Sequence, residues 1–282
     1  MTCGRRPSTL DMAVATRPEW APEGIDLNRP SNARLYDYFL GGAHNFAVDR
    51  ELAAMIATMT PNIGATMRAN RAFLRRAVRF LVDAGVRQFL DIGSGIPTAG
   101  NVHQVARDAT PDARVVYVDV DPVAVTHSRA ILRDDPQTAV LAADLRDPDR
   151  ILDGARATDL FDFDKPIAVL ALGVLHFIPD SADPAGIMAR LRNVVSAGSY
   201  LAISHVTHEG QPPEVLRAFE MSKRTAEEIV PRTLAEIAGY FGDLTLVEPG
   251  LVHIPLWRPE DPADVGGHPE RTNAYAGVAR KD

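Results

Sequence analysis

Phe89-Leu90-Asp91-Ile92-Gly93-Ser94-Gly95-Ile96-Pro97-Thr98 is the stretch whose reading decides the fold. An apolar run enters two glycines one residue apart, and a proline follows, which reads as buried strand, tight turn and helix start. Glycine suits such a turn because the backbone must bend sharply and let a ligand approach with no Cβ in the way. Pro97 fits the first helical turn, where a missing N–H costs nothing.

Outward from this loop, short apolar segments alternate with helical ones. Val86 to Ile92, Arg114 to Val118, Thr138 to Ala142, Ile167 to Leu172 and Ser199 to Ser204 read as strands. Helices are predicted over residues 101–109, 122–132, 147–152 and 184–195. Continuous apolar strands alternating with helices indicate a parallel sheet covered on both faces. Upstream, Ser31 caps a helix that stops at Gly41-Gly42, and further helices cover residues 49–59 and 63–84. The last places Met67, Leu74, Val78 and Leu81 on one stripe and Arg68, Arg71, Arg75 and Arg79 on another. The arginine stripe reads either as a solvated face or as a dock for an anionic group. Beyond Ser204 come a helical insertion at 213–229, a helix near 233–241 and apolar stretches at 244–254 and 274–280. The expected organisation is a loosely ordered arm at 1–30, a helical cap or lid at 31–84 and an α/β domain at 85–282. The insertion within it spans about 211–232.

The chain has 282 residues, of which 46% are apolar and 24% charged, with a net charge of −7. That balance argues against a nucleic-acid-coating protein. The single cysteine, Cys3, excludes an internal disulfide framework and a cysteine-based zinc site. No apolar run reaches the ~20 residues that span a bilayer, and no secretory h-region is visible, so a cytoplasmic protein is expected.

Three carboxylates close the first three strands: Asp91, Asp119 and Asp144. Asp119 follows Gly95 by about two dozen residues, close to the ~20 expected for a carboxylate that hydrogen-bonds ribose hydroxyls. Strand ends at the switch point of an open α/β sheet form its ligand crevice. Asp91 is placed to face a cationic ammonium group. The ligand expected here has a ribose, an adenine-like ring and a cationic tail. A dinucleotide fingerprint wants a third glycine where Thr98 stands, which disfavours a nicotinamide oxidoreductase.

These residues resemble class I S-adenosylmethionine-dependent methyltransferases. The chain is similar in particular to one bacterial methyltransferase-like family of mostly undefined substrate. That likeness rests on the glycine loop, on Val115-Val116-Tyr117-Val118-Asp119, and on the N-terminal stretch Ala33-Arg34-Leu35-Tyr36-Asp37-Tyr38-Phe39-Leu40-Gly41-Gly42, with Asn45, Phe46, Asp49 and Arg50. It covers nearly everything after residue 30. Pro97 departs from the wider class, where many members carry a third glycine. The resemblance implies a Rossmann-like α/β fold with a seven-stranded, mostly parallel sheet, helices on both faces and a helical N-terminal cap. It implies S-adenosyl-L-methionine as cofactor, with Gly93, Ser94 and Gly95 bordering its methionine part and Asp91 facing its amino group. Asp119 would meet the ribose, Asp144 and Leu145 the adenine, while Val120, Gly173, Tyr36, Arg34 and Asn45 would complete the binding residues.

Methyl transfer is an in-line displacement, so alignment and exclusion of water supply much of the rate. His176, just past the fourth strand, reads either as a base for a hydroxyl or amine acceptor or as a loop-shaping residue. His205 and His208 after the fifth strand are alternative bases. They lack a recognisable third ligand for a metal, so no metal is expected. Residue 173 opens Gly-Val-Leu-His rather than an Asn-Pro-Pro-Tyr-like loop, which disfavours methylation of nucleic-acid bases. Residues 31–49 are expected to form a lid in which Gly41-Gly42 acts as a hinge and aromatic faces tolerate the sulfonium charge. The expected function is methyl transfer to a small molecule, the alternative a non-catalytic sensor or scaffold that binds the same cofactor.

Overall fold

The computed structural model describes residues 18, 21, 25–96, 100–222 and 228–282. Expectations resting on Pro97 and Thr98, and on most of the 1–30 arm including Cys3, lie outside the described residues. Strand β1 (Gln88–Ile92) sits centrally, with β2 (Arg114–Asp119) and β3 (Thr138–Ala142) on one side. On its other side lie β4 (Ile167–Leu172) and β5 (Tyr200–Val206), all five parallel. Two short strands, β6 (Thr245–Leu246) and β7 (Val252–His253), and the final β8 (Ala274–Arg280) complete the sheet. Strand β8 runs antiparallel to β5, and β6 and β7 share its other edge, so one seventh position is filled by two pieces. This is the expected Rossmann-like, mostly parallel sheet. The apolar stretch at 244–254 supplies both pieces.

Side chains alternate faces along each strand, and both faces are apolar. Phe89, Val115, Tyr117, Ala168 and Leu170 pack in one core cluster with α3 (Ile63–Asp83) and α4 (Val102–Ala109). Leu90, Ile92, Val116, Val118, Val169 and Ala171 pack in the other with α6 (Pro148–Ala157) and α7 (Pro184–Val194). Three helices start with the same Asp-Pro pair: α5 (Pro122–Ile131), α6 and α7. The aspartate accepts first-turn amides and the proline occupies a position that needs no donor. Helix α6 continues past the expected stop at Leu152 to Ala157, and a Cβ at Gly154 would lie 3.0 Å from Leu141.

Before β1, α1 (Asn32–Phe39) and α2 (Ala47–Met59) precede α3. After β5 come α8 (Pro213–Ser222), whose expected continuation falls on residues 223–227 outside the described residues, and α9 (Leu234–Gly239). The 228–232 segment is not helical. It turns back across the sheet rim, where Val230 donates to the His176 carbonyl and Arg232 to that of Val206. Among the described residues no helix is long and apolar enough to cross a membrane.

Candidate cofactor and acceptor site

The glycine turn is stitched to the end of β2. Gly93 and Ser94 both donate to the Val118 carbonyl, and Gly95 donates to the Asp119 carboxylate at 2.7 Å. Gly93 has φ +72°, and a Cβ there would lie 2.6 Å from Val174, so no other residue fits without displacing that side chain. Gly95 has φ +68°, and a Cβ there would meet open space, which leaves the turn accessible to a ligand. The Ser94 hydroxyl is buried with no hydrogen-bond partner.

Strands β3, β2 and β1 are neighbours, so the three carboxylates reach one edge of the sheet. Asp91, only 5% exposed, accepts no hydrogen bond among the described residues. Burial pushes its carboxyl up to about 7, Arg71 opposes that shift, and Asp119 reinforces it. Asp119 is pushed up to about 6, burial outweighing the donated Asp121 and Gly95 amides. Its oxygens keep lone pairs for hydroxyl donors beyond those two bonds. Asp144 differs: Arg146 holds it in a forked ion pair that keeps the carboxyl below its ordinary range. Val120, beside Asp119, is 66% exposed and offers an apolar surface on the rim. The Leu145 side chain points into the core, which leaves only its backbone for a ligand. An open glycine turn, a partnerless hydroxyl and a buried carboxylate without donors fit an adenosyl ligand with an ammonium group.

The N-terminal residues divide. Tyr36 donates to the Met67 carbonyl and accepts from Asn70, while the Arg71 guanidinium lies 5.7 Å from its ring centre. Burial raises the Tyr36 phenol, Arg71 and the Asn70 hydrogen bond oppose that shift, and Asp91 adds to it. Arg34 and Asn45, expected to contact the cofactor, have their partners within the cap. Arg34 is 3% exposed, pairs with Asp49 at 2.8 Å and stacks on Phe46. Asn45 donates to Asp37 and Gly42 and accepts from Arg50. At the expected hinge the Asp37 carboxylate fills the space beside Gly42 and accepts from the His44 amide, whereas Gly41, φ +83°, has open space beside it. Phe46 packs with Ile96 of the glycine turn and Val123 of α5, and the Ser31 hydroxyl donates to Asp121 at the start of α5.

The arginine stripe of α3 is not one solvated face. Arg79 is exposed and paired with Glu260, whereas Arg71 is 8% exposed and acts on both Tyr36 and Asp91. Asn70, next to it, accepts from the Ser204 hydroxyl at 2.6 Å and lies against Gly173. A Cβ at Gly173, φ +71°, would sit 3.2 Å from the Asn70 amide nitrogen. Asn70, Arg71 and Ser204 are the site residues that sequence reading did not single out as such. The arginine stripe was a signal for Arg71 alone.

Both ring nitrogens of His205, an expected base, are engaged within the protein. Its Nδ1–H donates to the Val206 carbonyl at 2.8 Å, so Nε2 is the acceptor and receives a hydrogen bond from Arg232 at 3.1 Å. Burial, with Arg232 adding to it, pulls the ring down to about 4. Arg232 also donates to Leu175, Ile178 and Asp180, clasping the loop after β4. His176 rides on that loop beside Gly173, its Nδ1 buried without a partner. Burial, helped by His205 and Arg232, holds it well below the ordinary imidazole range. The His208 ring faces the Pro231 carbonyl, away from these groups. Among the described residues no cluster of metal-ligating side chains occurs.

The model of the S-adenosyl methyltransferase family matches residues 18–282. A protein of Thermobifida fusca YX, crystallised as a candidate methyltransferase, is 40% identical with a TM-score of 0.88, over 94% of this chain and 100% of that one. A DUF574-family protein of Streptomyces avermitilis is also 40% identical, with a TM-score of 0.85, over 90% of this chain and 98% of that one. No curated protein matches the chain.

Proposed function

Because the chain belongs to the S-adenosyl methyltransferase family, we propose that it methylates a small molecule bearing a hydroxyl or amine. Its cofactor is S-adenosylmethionine, which when bound supplies a sulfonium methyl group open to in-line displacement. Asp119 and the glycine turn would hold the ribose side of that cofactor, Val120 would flank the adenine, and Asp91 would face the ammonium group.

One observation carries the small-molecule reading: the α1–α2 segment lies directly on the glycine turn. Phe46 covers Ile96 and Val123, while Ser31 and Arg34 reach Asp121. A cleft roofed this way suits an acceptor small enough to be enclosed, and the net negative charge disfavours a polyanion. Residues 31–49 would act as the lid that keeps water out. A cytoplasmic setting fits this reading.

The acceptor side is bounded by Gly173, Asn70, Tyr36 and His176. A neutral His176 accepts a hydrogen bond from an acceptor O–H or N–H and aims its lone pair at the donor group. Held so far below the usual imidazole range, it is a weak proton acceptor. The chain's main contribution is therefore alignment in a dry cleft. The test incubates the protein with methyl-labelled S-adenosylmethionine and a fractionated metabolite extract, reading S-adenosylhomocysteine and labelled products by mass spectrometry. Label in low-mass hydroxyl or amine compounds is expected. Label found only in RNA, DNA or protein would overturn the acceptor assignment.

A further inference from the structure

The turn that carries His176 is a single 3-10 turn, Leu175–Phe177, between β4 and α7. So short a piece has little geometry of its own. Three carbonyls in and beside it accept from one segment elsewhere in the chain. Val230 donates to His176 at 2.8 Å, and the Arg232 guanidinium donates to Leu175 and Ile178 at 3.3 and 3.0 Å. The same guanidinium donates to Asp180 at 2.6 Å and to His205 Nε2 at 3.1 Å, and lies over the Tyr240 ring. The Arg232 amide ties the segment to the end of β5 through the Val206 carbonyl.

The Arg232 side chain is 4% exposed, whereas that of its counter-ion Asp180 is 82% exposed. An ordinary surface pair would leave both charges in water and contribute little. Here the cation is drawn inward, which is costly unless its donors are used. They are used on the turn that bears His176 and on the ring beside it, the two imidazoles lying 5.6 Å apart centre to centre.

We propose that Arg232 is a positioning residue of the acceptor site: it locks the His176 turn to the end of β5 and so fixes where that ring meets the acceptor. The proposal rests on the reading of His176 as the ring that faces the acceptor, and it gives the insertion after β5 a part in methyl transfer. A guanidinium suits this role because its planar fork of five donors serves several acceptors in different directions. An ammonium offers three donors at one point, so a lysine would keep some of these contacts and lose others. After burial, Arg232 also opposes protonation of both rings, while Glu236 of α9 acts against it at His205.

Two-dimensional NMR of the full chain with isotope-labelled histidine, assigned through backbone correlations, tests the coupling without an acceptor. In the wild type His205 should carry its proton on Nδ1. In Arg232→Met the ring signals of His176 and His205 should shift, and both rings should protonate at a higher pH, because a cation opposing protonation is gone. Arg232→Lys should fall between. With the acceptor recovered by the labelling screen, Arg232→Met should slow transfer roughly tenfold or more, the worth of lost charged hydrogen bonds, while S-adenosylhomocysteine affinity stays within about threefold. Unchanged His176 signals in Arg232→Met overturn the proposal. A loss of S-adenosylhomocysteine affinity as large as the loss of rate also overturns it, since that marks a merely structural role. If neither variant folds, the wild-type spectrum decides: a His205 proton on Nδ1 supports the clasp, and one on Nε2 leaves Arg232 no acceptor there and overturns it. If His176→Gln transfers as fast as the wild type, the acceptor reading and this proposal fail together. If His176→Gln is slow and Arg232→Met is not, the proposal fails alone.

Discussion

Asp119 accepts the Gly95 amide at 2.7 Å, so the carboxylate that ends β2 also holds the glycine turn after β1 in shape. One side chain thus couples two parts of the binding site. Asp119→Ala removes the turn's anchor and the acceptor offered to ribose hydroxyls. Affinity for S-adenosylhomocysteine should fall by about 100-fold or more in calorimetry, as expected for losing contacts to a charged acceptor. Asp119→Asn keeps one acceptor oxygen and should lose less. Equal losses for the two variants would mean that the charge, not the geometry of the turn, dominates.

The second prediction concerns pH. Asp91 keeps its proton up to about pH 7 in the folded chain, against an ordinary 3.8. The folded state therefore binds more protons than the unfolded one between these values. Stability from the protonated carboxyl is complete below pH ~4 and is lost as pH rises through 7. Asp91→Asn should stabilise the ligand-free protein by about 2–4 kcal/mol at pH 8 in urea melts and change little at pH 4. If the ammonium group of the cofactor binds Asp91, binding near pH 7 should release about half a proton, because a cation beside the carboxyl lowers its pKa. Titration in buffers of different ionisation enthalpy measures that release.

Much of the architecture is legible in local pattern. Apolar strands flanked by helices report a two-faced core, and the Asp-Pro pairs mark three helix starts. The glycine turn and Asp119 are legible because tight turns and ribose-binding carboxylates have few alternatives. What escapes is the partner of each polar side chain. Arg34 stands in a motif-like stretch, but its partner Asp49 is buried with three donors, Ser31, Arg34 and Phe46, brought in from separate turns. Arg71 shares a helical stripe with exposed Arg68 and Arg79, and only the approach of Tyr36 and Asp91 singles it out. His205 reads as a base until Arg232, far along the chain, takes its lone pair.

The Arg34–Asp49 pair supplies a third prediction. Arg34→Met leaves Asp49 with two backbone donors, while Asp49→Ala removes the acceptor for all three groups. Breaking one side of a buried pair costs about 3–5 kcal/mol, so Arg34→Met should fall near the low end and Asp49→Ala near the high end in denaturant melts. Both should weaken S-adenosylhomocysteine binding indirectly, by loosening Phe46 from the glycine turn. Unchanged affinity in a destabilised Arg34→Met chain would separate the cap from cofactor binding and dismiss the lid.

The last prediction separates alignment from proton removal at His176. Both histidines of the rim are buried and stay neutral at physiological pH, and Arg232 opposes protonation of each. An imidazole held well below its ordinary range leaves no inflection of its own near the ordinary imidazole value in a rate profile. His176→Gln retains a hydrogen-bonding group of similar reach but changes its direction. It should leave cofactor affinity within about threefold and lower the methyl-transfer rate by roughly tenfold, the worth of one oriented hydrogen bond. A wild-type inflection near the ordinary imidazole value that disappears in His176→Gln would show a ring that ionises in the catalytic range. The acceptor would then lose its proton to His176, and alignment alone would no longer account for the rate.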